Sequence, residues 1–177
     1  MSREHATFSY TMLRAAFFTQ NLSTTHAADI RERGEILVPA GGGRTAFVDA
    51  RDVGEAAAMV LAAADNHAYT NRAFELTGSE ALTYDEVAVT LSRAVGHTIV
   101  YRHAGAVRFY RAMRARGYPR AFVGVLLALY TTARLGMADH LSPALATLLG
   151  RAPTTLAAFA AASADVWRIQ AAQATDP

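Results

Sequence analysis

The sequence of 177 residues contains no cysteine and no lysine. The absence of cysteine excludes disulfide bonds, thiolate catalysis and cysteine-based zinc sites. Because all 17 basic residues are arginine, the chain offers no Schiff-base lysine, no lysine for a Walker-A phosphate loop and no catalytic tyrosine–lysine pair. These absences remove several common kinds of active site from consideration.

Long apolar runs are missing as well. Residues 1–11 contain no apolar core of a secretory signal, and the longest apolar stretches, Ala56–Ala64 and Val123–Tyr130, are far shorter than a membrane span. We therefore expect a soluble cytoplasmic protein with no membrane partner. The net charge of +2 is too small to favour nucleic-acid binding.

The order of apolar patterns predicts the fold class. Apolar residues make up 52% of the chain, enough for one domain or slightly more. The predicted strands are Phe8–Leu13, Ile36–Pro39, Thr45–Val48, Asn71–Thr77 and Thr98–His103. The predicted helices cover 15–30, 52–64, 83–95, 105–117, 119–137 and 154–170. Alternation of strands and helices up to residue 103 predicts an α/β layer, followed by a helical tail.

Two of the predicted helices begin with capping signals. Asp52 with Glu55, and Thr83 with Glu86, both have the three-residue spacing of a capping box. Gly96 stands where a left-handed residue would end the second of these helices.

The run Gly41-Gly42-Gly43 suggests a phosphate-binding loop at first sight. Such a loop needs a helix N-terminus directly after it, whereas Thr45–Val48 favours a strand. We therefore predict a turn between two strands. The dinucleotide fingerprint G-x-G-x-x-G occurs nowhere in the chain.

No metal site is predicted. The histidines are scattered, and no pair has i,i+4 spacing on one predicted helix. They are His5, His26, His67, His97, His103 and His140.

Two charged groups have alternative interpretations. Asp49 and Asp52 flank Arg51 and could form an acid–base pair. Helix capping by Asp52, and pairing of Asp49 with an arginine or a backbone amide, explain them better. A basic helix face is interpreted as solvated rather than as a nucleic-acid surface; its residues are Arg108, Arg111 and Arg114.

Phe17, Phe18 and Asn21 form the most informative candidate ligand group. They follow the first predicted strand, and ligands of α/β proteins generally bind at the C-terminal edge of the sheet. Ordinary core packing of the two phenylalanines is the alternative.

Four segments together resemble one family. Tyr10–Asn21 (YTMLRAAFFTQN) is similar to the "YTILRP-x-FF-x-x-N" segment of NmrA-like proteins, which are atypical short-chain dehydrogenase/reductases. The similarity continues, in order, through Leu37–Val53, through Phe74–Gly78 with Leu82–Ala88, and through Leu149–Pro153. The resemblance covers nearly the whole chain.

The resemblance implies the C-terminal part of a Rossmann-like parallel sheet, followed by a mainly helical substrate-side subdomain. Residues 1–78 would be the remnant of the NAD(P)-binding domain and residues 79–177 the helical subdomain. Family members begin with a half that carries the glycine fingerprint, which this chain lacks. The sheet edge left exposed would favour a homo-oligomer or a separate nucleotide-binding half as partner.

The resemblance also implies a cofactor cleft. Ala15, Phe17, Phe18 and Asn21 would line the space that holds NADP or NAD and a small-molecule substrate. Ala15 stands where the family usually has proline, and that proline shapes the loop facing the nicotinamide. The cofactor loop of this chain is therefore expected to depart from the family's geometry.

The expected activity is reduction of a quinone, azo or carbonyl-type substrate by NAD(P)H, with none expected from this chain without the nucleotide-binding half. The alternative is a non-enzymatic regulatory or ligand-binding module, including a homodimer, of the NmrA-like redox-sensor type. No catalytic residue is assigned, because spacing does not choose among the tyrosines that could donate a proton. Those tyrosines are Tyr10, Tyr84, Tyr101 and Tyr118.

Overall fold

The computed structural model describes residues 9–63 and 67–168. Its strands are β1 (Thr11–Ala15), β2 (Phe17–Phe18), β3 (Glu35–Val38), β4 (Thr45–Val48), β5 (Arg72–Leu76), β6 (Ala81–Leu82) and β7 (Val100–His103). Its helices are α1 (Gln20–Ser23), α2 (Ala27–Arg33), α3 (Ala50–Ala62), α4 (Tyr84–Val95), α5 (Ala106–Ala115), α6 (Arg120–Arg134), α7 (Ala144–Leu149) and α8 (Leu156–Ser163). A short 3₁₀ turn, Ala164–Val166, follows α8. Predictions for His5, Phe8, Ala64 and residues 169–177 lie outside the described residues.

Most strand pairs are parallel, which confirms the predicted α/β class with a Rossmann-like parallel sheet. β1 pairs with β5, β2 with β4, and β3 with β7, all in parallel, while β4 and β6 are antiparallel. The strands β6 and β7 follow residue 78 and pair with strands that precede it. The division of the chain at residue 78 stays a prediction.

Backbone hydrogen bonds connect the strand pairs around β4 and β5. The amide of Ala16 donates to the carbonyl of Leu76 (3.0 Å), and the amide of Gly78 donates to the carbonyl of Phe47 (2.8 Å). A Cβ atom on Gly78 would lie 2.2 Å from that Phe47 oxygen, so glycine is required at this close approach. The ends of β1, β4 and β5 are thereby held together.

The main core lies between β3, β7 and the helices α4, α5 and α6. Ile36, Leu91, Phe109 and Val123 are completely buried there. Buried Trp167 donates its indole N–H to the carbonyl of Leu22 (2.9 Å), which fixes the end of the described chain against α1. Among the described residues, no helix is long and apolar enough to cross a membrane.

The predicted caps of α4 are confirmed. The Thr83 hydroxyl accepts from the amide of Glu86 (3.2 Å), and the Glu86 carboxylate accepts from the amide of Thr83 (2.8 Å). Gly96 ends the helix with a φ of 82°. Both features follow from local sequence, which is why they could be predicted.

The predicted cap of α3 by Asp52 is wrong. The helix begins at Ala50, because Asp49 at the end of β4 accepts from the amide of Arg51 (2.8 Å) and acts as the N-cap. Asp52 lies in the first turn and is buried. The interpretation that Asp49 pairs with an arginine and a backbone amide is confirmed, since Arg51 also donates to its carboxylate (2.6 Å).

The N-terminal helix prediction, Ala15–Ile30, also fails. β1 extends to Ala15, and Phe17 and Phe18 pair with Phe47 and Val48 before any helix begins. These long-range strand contacts override the local helical spacing. The remaining segment forms the two short helices α1 and α2. In the tail, α7 was not predicted, and α8 ends at Ser163 rather than near residue 170.

The glycine run forms the predicted turn between β3 and β4. Gly43 lies against α6, where a Cβ atom would stand 1.9 Å from the carbonyl oxygen of Ala133, whereas a Cβ on Gly42 would meet nothing within 4 Å. We expect Gly43→Ala to lower the free energy of unfolding by about 1–3 kcal/mol. Gly42→Ala, the matched control, should change it by less than about 1 kcal/mol. Urea denaturation of both variants measures this, and equal effects would contradict the packing described.

Among the described residues, one edge of β1 has no partner strand. Within residues 9–63 and 67–168, β1 pairs with β5 alone, and its other edge carries no strand. Met12 lies on this strand and Tyr10 immediately precedes it, and both side chains are about half exposed. An open edge in a parallel sheet is a surface that another strand can pair with.

Candidate functional site

The C-terminal ends of β1 and β5 border a pocket of about 230 Å³. The two strands end side by side, with Ala15 opposite Leu76. After Ala16 the chain enters β2, where Phe17 pairs with Phe47 on β4. The lining residues are Arg14, Ala15, Ala16, Phe17, Ala46, Glu75, Thr77, Thr132, Met137, Ala138 and His140.

The pocket contains two of the four predicted cofactor residues. Ala15 and Phe17 both line it. Phe18 points to the other face of its strand, is 38% exposed, and is absent from the lining. Asn21 lies on α1, half-buried and also outside the lining. A role of these four residues in cofactor binding stays a prediction.

A hydrogen-bond network fixes the segment that follows Phe17. The side chain of Gln20 donates to Asp49 (2.7 Å) and accepts from the amide of Ala50 (3.0 Å). Burial acts to raise the pKa of Asp49, but hydrogen bonds from Arg51 and Gln20 outweigh it and hold that pKa below its usual value. Asp49 is therefore a charged anchor that holds the loop after β2 against the end of β4.

The other side of the pocket is an irregular segment, residues 136–142. Three hydrogen bonds fix its course. The Met137 amide donates to the carbonyl of Thr132 (2.9 Å), and the Ala46 amide donates to the carbonyl of Ala138 (2.7 Å). The Ser142 amide donates to the Thr77 hydroxyl (2.9 Å). His140 lies between two of these anchored residues. The segment is thus tied to β4 and to the end of β5, the strands that pair with those carrying Phe17 and Ala15.

Charged side chains stand at the rim. Nε2 of His140 lies 3.5 Å from Oε2 of Glu75, and both side chains are more than half exposed. Arg14, opposite Glu75 in the strand register, lines the same pocket. Arg14 and Glu75 also line an adjoining groove of about 680 Å³ along β5 and α7. Apolar walls with a charged rim suit a small molecule with a polar group.

None of the four tyrosines considered as proton donors lines the pocket. Burial raises the pKa of Tyr84 well above its usual value, with Tyr130 and Tyr101 adding to the effect. Burial raises the pKa of Tyr101 to about 12, and its hydroxyl donates to Val38 (3.0 Å). Tyr118 stacks on Phe122 at 5.3 Å, and Tyr10 is exposed beside the open edge of β1.

A buried histidine lies behind the pocket wall. The Nε2 atom of His26 is 2.5 Å from the hydroxyl of Tyr130, whose ring is 6.4 Å from that of Phe17. Burial, and then the charge of Arg116, lower the pKa of His26 to about 4. Its Nδ1 atom has no hydrogen-bond partner among the described residues. The imidazole is therefore a neutral core group at physiological pH.

Sequence reasoning missed His140, Glu75 and Met137 as pocket residues. Glu75 lies on a strand that was predicted, and strand alternation could have placed it beside Arg14. His140 and Met137 carry no such signal, because residues 136–142 have neither helical nor strand periodicity. Their position depends on the long-range contacts to Thr77 and Ala46 described above.

The remaining candidates do not form a site. No cluster of three or more histidine or acidic side chains suited to a metal ion exists in the described part of the chain. On α5, Phe109 and Met113 are buried, while Arg108 and Arg111 are exposed. Arg114 on the same helix donates to the carbonyl of Tyr118.

Comparison with known proteins gives one consistent result. The sequence model of the NmrA-like family matches residues 1–159. An NAD(P)H azoreductase of Xenophilus azovorans is 35% identical over 159 residues, which cover 88% of this chain and 53% of that protein. Quinone oxidoreductase 2 of Escherichia coli (strain K12) is 28% identical over 148 residues, which cover 84% of this chain and 50% of that protein.

Solved structures agree with the sequence relatives. The NADPH complex of an NADPH-dependent quinone oxidoreductase from Escherichia coli superposes with a TM-score of 0.78 at 26% identity, covering 88% of this chain and 53% of that one. A triphenylmethane reductase of Citrobacter sp. with NADP(H) superposes with a TM-score of 0.76 at 27% identity, covering 89% of this chain and 53% of that one. The chain spans about half the length of the relatives it matches.

Proposed function

Because the chain belongs to the NmrA-like family, we propose that it forms the substrate-side part of an NAD(P)H-dependent oxidoreductase that acts on a quinone, azo or carbonyl-type small molecule. The observation that carries this proposal is the pocket at the C-terminal ends of β1 and β5. Its position at the sheet edge is the usual ligand position in α/β proteins. The relatives named above are reductases that use NADPH or NAD(P)H.

The pocket suits the ring end of such a cofactor and not its diphosphate. Ala15, Ala16 and Phe17 provide a small apolar wall against which a flat ring can pack. The sequence has no G-x-G-x-x-G loop, and the glycine turn at residues 41–43 is followed by a strand rather than a helix. When bound, the cofactor supplies a hydride; the residues of this chain orient the acceptor and exclude water from it.

The unpaired edge of β1 is consistent with a separate nucleotide-binding half. In our proposal the nucleotide-binding half pairs in parallel with this edge, on the side opposite β5. That arrangement would cover the exposed Met12 and place the diphosphate site beside Ala15. It accounts for the match covering only about half the length of these relatives.

A titration of the 177-residue chain with NADPH and NADH tests where nucleotide recognition resides. We expect no saturable binding up to millimolar cofactor, measured by nicotinamide fluorescence and by calorimetry, because the sequence has no G-x-G-x-x-G motif to hold the diphosphate. Saturable binding at micromolar cofactor would contradict the assignment of the nucleotide site to the other half.

A further inference from the structure

We propose that His140 donates the proton that accompanies hydride transfer to the acceptor, an assignment that rests on the proposed reductase function. The geometry that points to it is the pocket lined jointly by Phe17, on β2, and by His140, from the segment after α6. Hydride transfer to a quinone, azo or carbonyl group leaves negative charge on an oxygen or nitrogen atom. A positioned acid beside that atom lowers the barrier.

The other polar groups that line the pocket are unsuited to this role. Arginine does not release its proton in proteins, which excludes Arg14. The hydroxyl of Thr132 donates to the carbonyl of Leu129 (2.7 Å). The hydroxyl of Thr77 accepts from Ser142 and lies within 3.3 Å of two carbonyl oxygens. Imidazole is the side chain whose ordinary titration spans neutral pH.

The carboxylate of Glu75 supports the assignment. Its Oε2 atom is 3.5 Å from Nε2 of His140, close enough for an ion pair with the imidazolium. A carboxylate beside one ring nitrogen orients a histidine and stabilises its charged form. The Nδ1 atom of His140 has no hydrogen-bond partner among the residues that the structure describes, and so remains able to meet an acceptor atom. Glu75 is a positioning residue in this account.

The backbone around His140 is fixed rather than free. Ala138, two residues before it, accepts from the amide of Ala46 on β4, and Ser142, two residues after it, is bonded to Thr77. Both partners, Ala46 and Thr77, line the pocket. The imidazole is therefore held near the pocket without being buried, and solvent can reprotonate it.

When bound, the cofactor would supply a hydride, with its electron pair, to the electrophilic carbon or nitrogen of the acceptor. The N–H bond of the His140 imidazolium breaks and its proton joins the oxygen or nitrogen that receives the charge. The products are the oxidised cofactor, the reduced acceptor and neutral His140, which regains its proton from water.

The test uses 2,4-dinitrophenolate, an aromatic oxyanion that stays ionised across the range studied and mimics the charge formed on the acceptor. We expect the 177-residue chain to bind this probe about tenfold more tightly at about pH 6 than at about pH 8.5, because a protonated imidazole binds an oxyanion more tightly than a neutral one does. The charged groups that line the pocket with His140 are Arg14 and Glu75.

Two variants separate His140 from other histidines. His140→Gln should bind the probe equally at both pH values. His103→Gln is the matched control, since His103 forms a similar exposed pair with Asp85 (3.4 Å) but does not line the pocket. This variant should still bind the probe about tenfold more tightly at the lower pH. NMR spectra of protein labelled with ¹³C-histidine identify the residue that responds. The histidine resonance that is present in the wild type and missing in His140→Gln should be the one that shifts when the probe binds.

The inference is overturned if the wild-type chain binds the probe equally at both pH values, fails to bind it, or keeps its pH dependence in His140→Gln. These outcomes do not depend on NADPH. Failure of the proposed function would appear elsewhere, as an absence of reductase turnover once a nucleotide-binding half is supplied. The two failures are therefore distinguishable.

Discussion

Replacement of Asp52 by alanine should lower the free energy of unfolding by about 3 kcal/mol, because the change removes charge-assisted hydrogen bonds from a buried carboxylate. Asp52 is 1% exposed and accepts from the amide of Thr154 (2.6 Å), from its hydroxyl (3.0 Å) and from Arg151 (2.8 Å). These bonds join the first turn of α3 to the segment that leads into α8. For a chain of this size, the expected fall in Tm is about 6–12 °C.

The matched control for this prediction is Glu55→Ala. Glu55 lies one turn further along α3 and contacts the same Arg151, but both side chains are more than 40% exposed. Exposed ion pairs contribute little, so the loss should be under about 1 kcal/mol. Urea unfolding of both variants measures the difference. A loss in Glu55→Ala as large as that in Asp52→Ala would show that Arg151, and not the buried carboxylate, holds the two segments together.

Acid should destabilise the protein through His26. In the unfolded chain His26 has the ordinary histidine pKa of 6.5, whereas burial in the folded protein lowers the pKa of His26 to about 4. Between these values the unfolded state binds more protons, so stability is highest above pH 6.5 and falls as pH decreases toward 4. The expected loss is about 2 kcal/mol between about pH 7 and pH 5, and about 3 kcal/mol in full.

Denaturant unfolding at a series of pH values tests this expectation. In His26→Gln the fall between neutral and mildly acidic pH should disappear, although the variant will be less stable at neutral pH because the contact with Tyr130 is disturbed. His103→Gln, which alters an exposed ring, should keep the wild-type pH dependence. A wild-type stability that is flat between these pH values would contradict a neutral, buried His26.

Local signals in the sequence predicted the parts of the fold that local physics determines. The capping box of Thr83 and Glu86 and the stop at Gly96 need only neighbouring residues, and both are present as predicted. The segment after Ala15 could not be predicted in this way. Phe17 and Phe18 have helical spacing with the residues that follow, but pairing with β4, nearly thirty residues later, makes them a strand.

The candidate site shows the same limit. The resemblance to NmrA-like proteins predicts a cofactor cleft that includes Ala15 and Phe17, and both residues line a pocket at the end of β1. His140 could not be found from periodicity, because its segment is irregular and is held by hydrogen bonds to distant strands. Asp52 was recognised as structurally important, yet its true partners, Arg151 and Thr154, lie about a hundred residues away in the chain.

The most direct test of the central claim is a chimeric enzyme. The segment of the Xenophilus azovorans azoreductase that this chain matches is replaced by this chain, so that the rest of the azoreductase supplies the nucleotide-binding half. NAD(P)H oxidation is then measured with an azo dye and with a quinone as acceptors. Our account predicts turnover by the chimera and none by either half alone. A folded chimera that binds NADPH but reduces neither acceptor would contradict it.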